Sequence, residues 1–293
     1  MNALRRLTYR SDLLALARFL RLTPLLRKCY YQWTTSRGGI LHSRICGIDV
    51  RFCARTPQEL RRVEYNVVLE EGSFLSLLAS TLHAGDVFFD VGSNIGVFAV
   101  IIAKVVGRVG RVFAFEPQTD FHRNLRENVE LNMLSNVTMF KRALGESNTS
   151  GRLYVQGLES PSLVRGPHIP DPSFEHPEES PSGSTADRNA EVVEIVSGDW
   201  LRETQGLPVP RAVKIDVEGY EYSVLRGLER TLAHPGCELL CVEIHPSFLP
   251  PDATVEAIVR FVKSLGFTHL EEHPRLTQIH LVASKPWHSH VAA

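Results

Sequence analysis

The segment that most constrains the fold of this chain is Asp90–Gly96, which follows the apolar run Val87–Phe89. The aromatic residues favour a β-strand, the two glycines allow a tight turn, and the apolar stretch Val97–Val106 is typical of a buried helix. A strand, a glycine turn and a helix in this order form a cradle for a nucleotide. The sequence therefore predicts an open α/β sheet whose first core strand ends in a cofactor-binding loop.

The spacing of the glycines and the acid in front of them favour one kind of cofactor. The pattern is DxGxxxG, whereas GxGxxG is typical of loops that bind a dinucleotide pyrophosphate. Asp90 would repel a pyrophosphate but would attract the ammonium and sulfonium groups of S-adenosylmethionine, which carries no phosphate. The sequence therefore predicts that Asp90, Gly92, Asn94 and Gly96 bind S-adenosylmethionine.

A second acidic residue, Glu116, ends the next predicted strand, Arg111–Phe115. It lies roughly 20 residues beyond the glycine loop, the spacing at which a carboxylate accepts hydrogen bonds from both ribose hydroxyls. Ligands lie at the carboxyl ends of parallel strands. We therefore also expect Arg142 and Ala143, which follow the strand Val137–Lys141, to approach the adenine ring.

Ionisable residues also follow the fourth predicted core strand. A period of two places Lys214, Asp216 and Glu218 on one side of the chain. Asp216 is the first candidate for a general base or a metal ligand, and it is also expected to contact the cofactor. Glu218 is expected to organise the cofactor or the active site, and Lys214 to tune the charge of the two carboxylates.

The strand Leu239–Ile244 brings Glu243 and His245 to the same edge of the predicted sheet. Together with Asp216, these two residues could hold a divalent cation that acidifies an acceptor hydroxyl, as in metal-dependent catechol methyltransferases. The alternative without metal makes His245 the base, assisted by a carboxylate. We favour the arrangement without metal, because a strand-end histidine before a proline is more often simply hydrogen-bonded.

These motifs together give the chain a family resemblance. The chain resembles the FkbM family of S-adenosylmethionine-dependent methyltransferases. In chain order, the motifs that carry the resemblance are GDVFFDVGSNIG at Gly85–Gly96, FAFEP at Phe113–Pro117, VKIDVEGYE at Val213–Glu221 and VEIHP at Val242–Pro246. Ser93 stands where the family most often has alanine. With the alternation of strands and helices, the resemblance implies an α/β, Rossmann-like, seven-stranded class I methyltransferase sheet.

The resemblance also implies methyl transfer to an oxygen, most plausibly a hydroxyl of a sugar, glycan or secondary metabolite. A nicotinamide-dependent oxidoreductase is the alternative enzyme, disfavoured by the missing third glycine and by Asp90. A catalytically silent binding module that has kept the cofactor fold is the third possibility. The carboxylates at Asp90, Glu116, Asp216 and Glu218 argue against it.

The chain is predicted to divide into an extension, a catalytic domain and a short tail. Residues 1–82 contain a basic amphipathic helix, a two-stranded ribbon about Gly47 and a lead-in helix at Leu75–Leu82. Residues 83–285 form the methyltransferase domain, and 286–293 are a polar tail. A proline- and serine-rich insertion at 157–189 interrupts the domain and is expected to be a loop or a lid on which acceptor choice depends.

The N-terminal segment is basic, because seven arginine and lysine residues and only one acidic residue, Asp12, precede Trp33. Its amphipathic helix is expected to pack on the catalytic domain or on a partner subunit, with docking on an anionic membrane as the alternative. It is too short and too interrupted by arginine to span a bilayer, and no signal-peptide cleavage site follows it. We expect a cytoplasmic protein, or one peripheral to the membrane. A net charge of −1 gives no indication of a nucleic-acid partner.

Overall fold

The computed structural model describes Gln32 and residues 38–56, 59–60, 63, 72–154, 162–165, 190–251, 253–275 and 277–286. The predicted amphipathic helix before Trp33, most of the insertion and tail residues 287–293 lie outside the described residues. The chain divides into two compact units, Met1–Glu70 and Glu71–Ala293.

The first unit contains the predicted ribbon. Strands β1 (Ile40–Ile45) and β2 (Ile48–Cys53) pair in antiparallel register, with Ile45 opposite Ile48. Cys46 and Gly47 connect the strands, and both have positive φ, 49° and 78°. Two consecutive residues of this kind match the turns that join tightly paired strands, and the two strands form a ribbon about Gly47.

The second unit begins with the lead-in helix and continues as an alternation of strands and helices. In chain order its elements are α1 (Gly72–Thr81), β3 (Val87–Val91), α2 (Val97–Val106), β4 (Arg111–Phe115), α3 (Thr119–Leu131), β5 (Val137–Phe140), β6 (Ala143–Gly145), β7 (Thr149–Tyr154), β8 (Ser162–Arg165), β9 (Ala190–Ser197), α4 (Gly198–Thr204), β10 (Ala212–Ile215), α5 (Glu221–Gly227), α6 (Glu229–Ala233), β11 (Leu239–Ile244), a 3₁₀ turn (Pro246–Phe248), α7 (Val255–Ser264), β12 (His269–Pro274) and β13 (Ile279–Ser284).

Seven strands form the central sheet in the order β12-β13-β11-β10-β3-β4-β5. Strands β11, β10, β3, β4 and β5 are parallel, whereas β13 is antiparallel to both of its neighbours. This is the predicted Rossmann-like methyltransferase sheet, closed by an antiparallel hairpin. Val91 lies opposite both Phe115 and Ile215, so β3, β4 and β10 end in register. The loops that follow these three strands therefore start at one edge of the sheet.

Strands β3, β4, β10 and β11 in the middle of the sheet are buried, which explains why their sequences are nearly continuous apolar runs. All residues of β10 and β11 are buried. Phe89 meets the rings of Phe113 and Phe115 at inclined angles, with centroid distances of 5.4 and 5.5 Å, and these contacts join β3 to β4. Helix α2 buries eight of its ten residues, as its apolar sequence predicts.

A second, four-stranded sheet with the order β6-β9-β7-β8 lies between β5 and β10 in the chain. The sequence pattern does not predict this sheet, and it predicts a loop or a lid for the insertion that contains β8. That interpretation is wrong for Ser162–Arg165, which pairs with β7 in antiparallel register. The pairing of β7 with β9 joins Thr149 to Ile195, so it depends on contacts between distant segments that no local pattern reveals.

Candidate active site

The glycine loop after β3 packs closely against the backbone at the end of β10. Gly92 has a φ of +76°, and a Cβ added to it would lie 1.7 Å from the carbonyl oxygen of Asp216. Gly96 has a φ of +86°, and a Cβ there would lie 2.4 Å from Cδ1 of Leu125. Between them, Asn94 also has positive φ, at 52°. Both glycines are therefore required by the turn and by the close approach of its neighbours.

Glu116 lies at the end of β4 and is held by two backbone N–H groups. Its Oε2 accepts a hydrogen bond from the backbone nitrogen of Asn94 at 2.7 Å, and its Oε1 accepts one from that of Gln118 at 2.9 Å. Burial raises the pKa of Glu116 to about 7, and the two backbone hydrogen bonds oppose this increase. The carboxylate is thus fixed against the glycine loop, and its remaining lone pairs can accept hydrogen bonds from a ligand.

Asp90, which the sequence predicts to contact the cofactor, points into the interior of the protein and not into the cleft. It is fully buried in β3, and it is absent from the described residues that line the cleft discussed below. Its Oδ1 lies 3.6 Å from Nζ of Lys214, because the two residues are opposite each other in the register of β3 and β10. Burial raises the pKa of Asp90 above its usual range, and Lys214 opposes that increase.

Lys214 connects this buried acid to the loop. It is 3% exposed, its Nζ donates to the carbonyl oxygen of Gly92 at 2.8 Å, and it lies 3.4 Å from Oδ2 of Asp216. The expectation that Lys214 tunes the charge of nearby carboxylates agrees with these distances. Lys214 also holds the glycine loop in place through its hydrogen bond to the carbonyl oxygen of Gly92.

A cleft of about 580 Å³, open to solvent, runs along the carboxyl edge of the central sheet. The strand ends and neighbouring elements that line it contribute Val91, Gly92, Asn94, Phe115, Glu116, Pro117, Phe121, Arg142, Ala143, Leu144, Leu153, Asp216, Val217, Glu218 and Tyr220.

Seven of the predicted site residues therefore meet in one cleft, namely Gly92, Asn94, Glu116, Arg142, Ala143, Asp216 and Glu218. The other five, Asp90, Gly96, Lys214, Glu243 and His245, are not among its lining residues. Phe121, Leu153 and Tyr220 line the cleft without having been predicted. Phe121 and Leu153 carried no signal in the sequence, whereas Tyr220 lies inside the motif VEGYE that the analysis singled out.

Arg142 and Ala143 are placed by the second sheet. Nε of Arg142 donates to Oε2 of Glu194 at 2.8 Å, and Glu194 belongs to β9. Ala143 is buried in β6 and pairs with Ile195. The end of the cleft that follows β5 is therefore formed by this second sheet.

His245, directly after β11, is enclosed by carboxylates and is 2% exposed. Its Nδ1 lies 2.7 Å from Oε1 of Glu221, and its Nε2 lies 3.3 Å from Oε2 of Glu218 and 3.6 Å from Oε1 of Glu243. Burial alone would lower the pKa of His245, but the hydrogen bond to Glu221 and the charges of Asp216 and Glu218 outweigh burial and raise it to about 9.

This pKa changes the expected role of the histidine. At neutral pH, His245 is an imidazolium, which has no lone pair with which to accept a proton. The prediction that it acts as the base is therefore not supported. Glu221, expected only to begin a helix, does begin α5 but also holds His245 and accepts a hydrogen bond from the backbone nitrogen of Gly219.

Asp216, Glu218 and His245 form a group that could hold a metal ion, since one ligand atom from each lies within 4.8 Å of the others. The set predicted from the sequence contains Glu243 in place of Glu218. Glu243 lies opposite His280 in the register of β11 and β13, and its Oε2 lies 3.5 Å from Nε2 of that histidine. Glu218 joins the group because the chain turns there with a positive φ of 53°.

Comparisons with known proteins show a match to one methyltransferase family. The family model described as the methyltransferase FkbM domain matches residues 90–268. The chain is 30% identical over 226 residues to the hexuronic acid methyltransferase AglP of Haloferax volcanii, covering 76% of this chain and 83% of that protein. It is 26% identical over 153 residues to Methyltransferase 1 of Beauveria bassiana, covering 48% and 57%. A SAM-dependent O-methyltransferase from Thermotoga maritima, 14% identical, aligns with a TM-score of 0.42 over 85% of this chain and 79% of that one.

Proposed function

This chain belongs to the FkbM methyltransferase family, and we propose that it transfers a methyl group from S-adenosylmethionine to a hydroxyl of a sugar, a glycan or a secondary metabolite. The chain is an enzyme, an S-adenosylmethionine-dependent methyltransferase. A relative named for a hexuronic acid supports a sugar as the acceptor. The observation that carries the proposal is that the carboxylates of Glu116 and Asp216 share one open cleft with the glycine loop.

The residues of the cleft fit this cofactor. Gly92 gives the loop a surface without a side chain, and Glu116 presents a carboxylate already fixed by two backbone N–H groups. Arg142 and Ala143 would lie beside the adenine. Charge supports the same assignment, because Asp216 and Glu218 make one part of the cleft acidic and the cofactor carries a positive sulfur and an ammonium group.

When bound, S-adenosylmethionine supplies an electrophilic methyl group on a positively charged sulfur. Methyl transfer needs alignment of donor and acceptor, and removal of a proton when the acceptor is a hydroxyl. We assign the proton to a carboxylate oxygen of Asp216, whose side chain is 20% exposed in the cleft. As the acceptor oxygen gains the methyl group and the carbon–sulfur bond breaks, the hydroxyl proton passes to Asp216.

The residues around Asp216 would orient it. Lys214 is 3.4 Å from Oδ2 of Asp216 and also donates to Gly92, so it links the proposed base to the cofactor loop. Glu218 is 3.3 Å from the imidazole of His245. We propose that Glu218 and His245 organise this part of the cleft, with Glu243 behind them, and that His245 takes no proton from the acceptor.

We propose that the reaction proceeds without a bound divalent cation. Both ring nitrogens of His245 have carboxylate oxygens nearby, those of Glu221 at 2.7 Å and Glu218 at 3.3 Å, and this suits an imidazolium that donates two hydrogen bonds better than a neutral metal ligand. Dialysis against EDTA should leave the turnover unchanged. Loss of activity on dialysis with recovery on adding Mg²⁺ would contradict this proposal.

The acceptor class is tested by incubating the protein with S-adenosylmethionine labelled in its methyl group and a panel of acceptors. The panel contains neutral hexose glycosides, hexuronic acid glycosides and a catechol, and mass spectrometry with NMR locates the methyl group. We expect a sugar methyl ether. Labelling of the catechol alone would overturn the sugar assignment, and binding of NAD in place of S-adenosylhomocysteine would favour the oxidoreductase alternative.

The base is tested by Asp216→Asn, which keeps the shape of the side chain. We expect turnover to fall by about a hundredfold or more, as loss of a base would cause, with cofactor affinity largely intact. Asp120→Asn is the matched control, because Asp120 is an exposed carboxylate on α3. Unchanged turnover in Asp216→Asn would remove Asp216 from this role.

The basic segment before Trp33 remains a prediction. We propose that it packs on the catalytic domain or on a second subunit, and a peripheral contact with an anionic membrane is the alternative. No helix among the described residues is long and apolar enough to cross a membrane.

A further inference from the structure

Tyr220 carries a polar group that the proposed reaction does not use. The residue lines the cleft, and its hydroxyl oxygen is buried without a hydrogen-bond partner among the described residues. A buried hydroxyl without a partner is unfavourable, because it has lost its hydrogen bonds to water. Phenylalanine would fill the same space without that cost, so the hydroxyl points to a partner that belongs to a ligand.

The ring of Tyr220 lies at one particular end of the cleft. It packs against a cluster from the second sheet that includes Ala143 and Leu153, both of which also line the cleft. It lies so close to β6 that a Cβ on Gly145 would be 3.0 Å from its Cε1. Tyr220 therefore lies beside the part of the cleft that follows β5.

The order of the strands indicates which part of the cofactor would lie at the end of the cleft that follows β5. From β10 through β3 and β4 to β5, the strand ends bring Asp216, the glycine loop, Glu116 and then Arg142 with Ala143 to the cleft. If Glu116 holds the ribose and Asp216 lies by the methyl group, the purine extends toward β5 and β6. The ring of Tyr220 packs at this purine end.

We propose that Tyr220 is a cofactor-recognition residue whose hydroxyl hydrogen-bonds the purine of S-adenosylmethionine. A phenol can accept a bond from an amine or donate one to a ring nitrogen, so it suits the edge of adenine. This inference rests on the proposed function only for the identity of the cofactor. It does not depend on which acceptor is methylated. The motif VEGYE then serves both ends of the cleft, with Glu218 toward His245 and Tyr220 toward the purine.

Tyr220→Phe tests this proposal, because it removes the hydroxyl and keeps the packing of the ring. Calorimetric titration with S-adenosylhomocysteine should show the dissociation constant raised about three- to tenfold, as expected for one neutral hydrogen bond. Tyr222→Phe is the matched control, because Tyr222 packs edge-on against Phe261 and does not line the cleft. Its affinity should stay that of the wild type.

Two further measurements locate the hydroxyl. Titration with 5′-methylthioadenosine, which lacks the amino-acid end, should show the same fold-loss in Tyr220→Phe. The free variant should be at least as stable to heat as the wild type, since it no longer buries a hydroxyl without a partner. Unchanged affinity for S-adenosylhomocysteine, a loss confined to the ligand with the amino-acid end, or a destabilised free variant would each overturn the proposal. The titrations contain no acceptor, so a wrong acceptor assignment would not alter their result.

Discussion

Glu221→Gln should remove a pH-dependent part of the stability of this protein. Glu221 is fully buried, and its hydrogen bond to Nδ1 of His245 is the largest of the effects that raise the pKa of His245 to about 9. Glutamine keeps the shape of the side chain and an oxygen that can accept from the backbone nitrogen of Gly219. The substitution therefore removes the charge that favours the imidazolium and little else.

The magnitude follows from the difference between the folded and unfolded states. The pKa of His245 is about 9 in the folded protein against 6.5 ordinarily, a rise of about 2.5, and each pKa unit corresponds to about 1.4 kcal/mol. Because the folded pKa is the higher one, the stabilisation is fully present below pH 6.5 and is lost as the pH rises through 9. The imidazolium thus contributes about 3 kcal/mol to the free energy of unfolding at the acid end of this window.

Urea denaturation of wild type and Glu221→Gln across this pH range measures the effect. The difference in unfolding free energy between the two proteins should be largest near about pH 6 and should shrink by up to about 3 kcal/mol near about pH 9.5. NMR titration of the imidazole gives the pKa of His245 directly. Glu271→Gln is the control, because Glu271 forms an exposed pair with His273 that solvent screens.

Two results would refute this reasoning. One is an imidazole of His245 that titrates near 6.5 in the folded wild-type protein. The other is a pair of stability curves, for wild type and Glu221→Gln, that run parallel over the whole pH range. Either result would mean that the carboxylates around His245 do not hold it in its charged form.

Further predictions concern the cofactor loop and the proposed ribose ligand. Gly92→Ala should abolish calorimetric binding of S-adenosylhomocysteine, because the added Cβ would lie 1.7 Å from the carbonyl oxygen of Asp216. Gly206→Ala, which has similar backbone strain but nothing within 4 Å, should bind normally, and equal affinity of the two variants would contradict the close approach. Glu116→Ala should weaken binding by roughly 1 to 3 kcal/mol through lost charge-assisted bonds to ribose. Wild-type affinity should also fall as the pH drops below about 7, where Glu116 takes up a proton, and affinity independent of pH would argue against that role.

Much of the fold could be read from short stretches of sequence. The central strands are buried on both faces and are therefore continuous apolar runs, and α2 is apolar throughout for the same reason. The turn at Asp90–Gly96 needs positive φ at both glycines, so its spacing is visible in the sequence. The family resemblance supplied the number of strands, and the carboxyl ends of parallel strands predicted which residues meet at the cleft.

Roles within the site were harder to predict. Asp90 was assigned to the cofactor from its place in the motif, but the register of β3 and β10 sets it beside Lys214 beneath the loop. His245 was a candidate base from its residue type and its place at the end of β11. Its surroundings come from Glu218, Glu221 and Glu243 on different elements, and they raise its pKa beyond the range in which it could act as one.

The amino-acid order alone therefore specified the cofactor loop, the run of core strands and the types of residue at the sheet edge. These depend on backbone conformation and burial over a few neighbouring residues. The second sheet, the carboxylates around His245 and the burial of the Tyr220 hydroxyl were decided only by folding in three dimensions. Strand pairing, burial and pKa depend on groups far apart in the chain, and their distances exist only once the chain is folded.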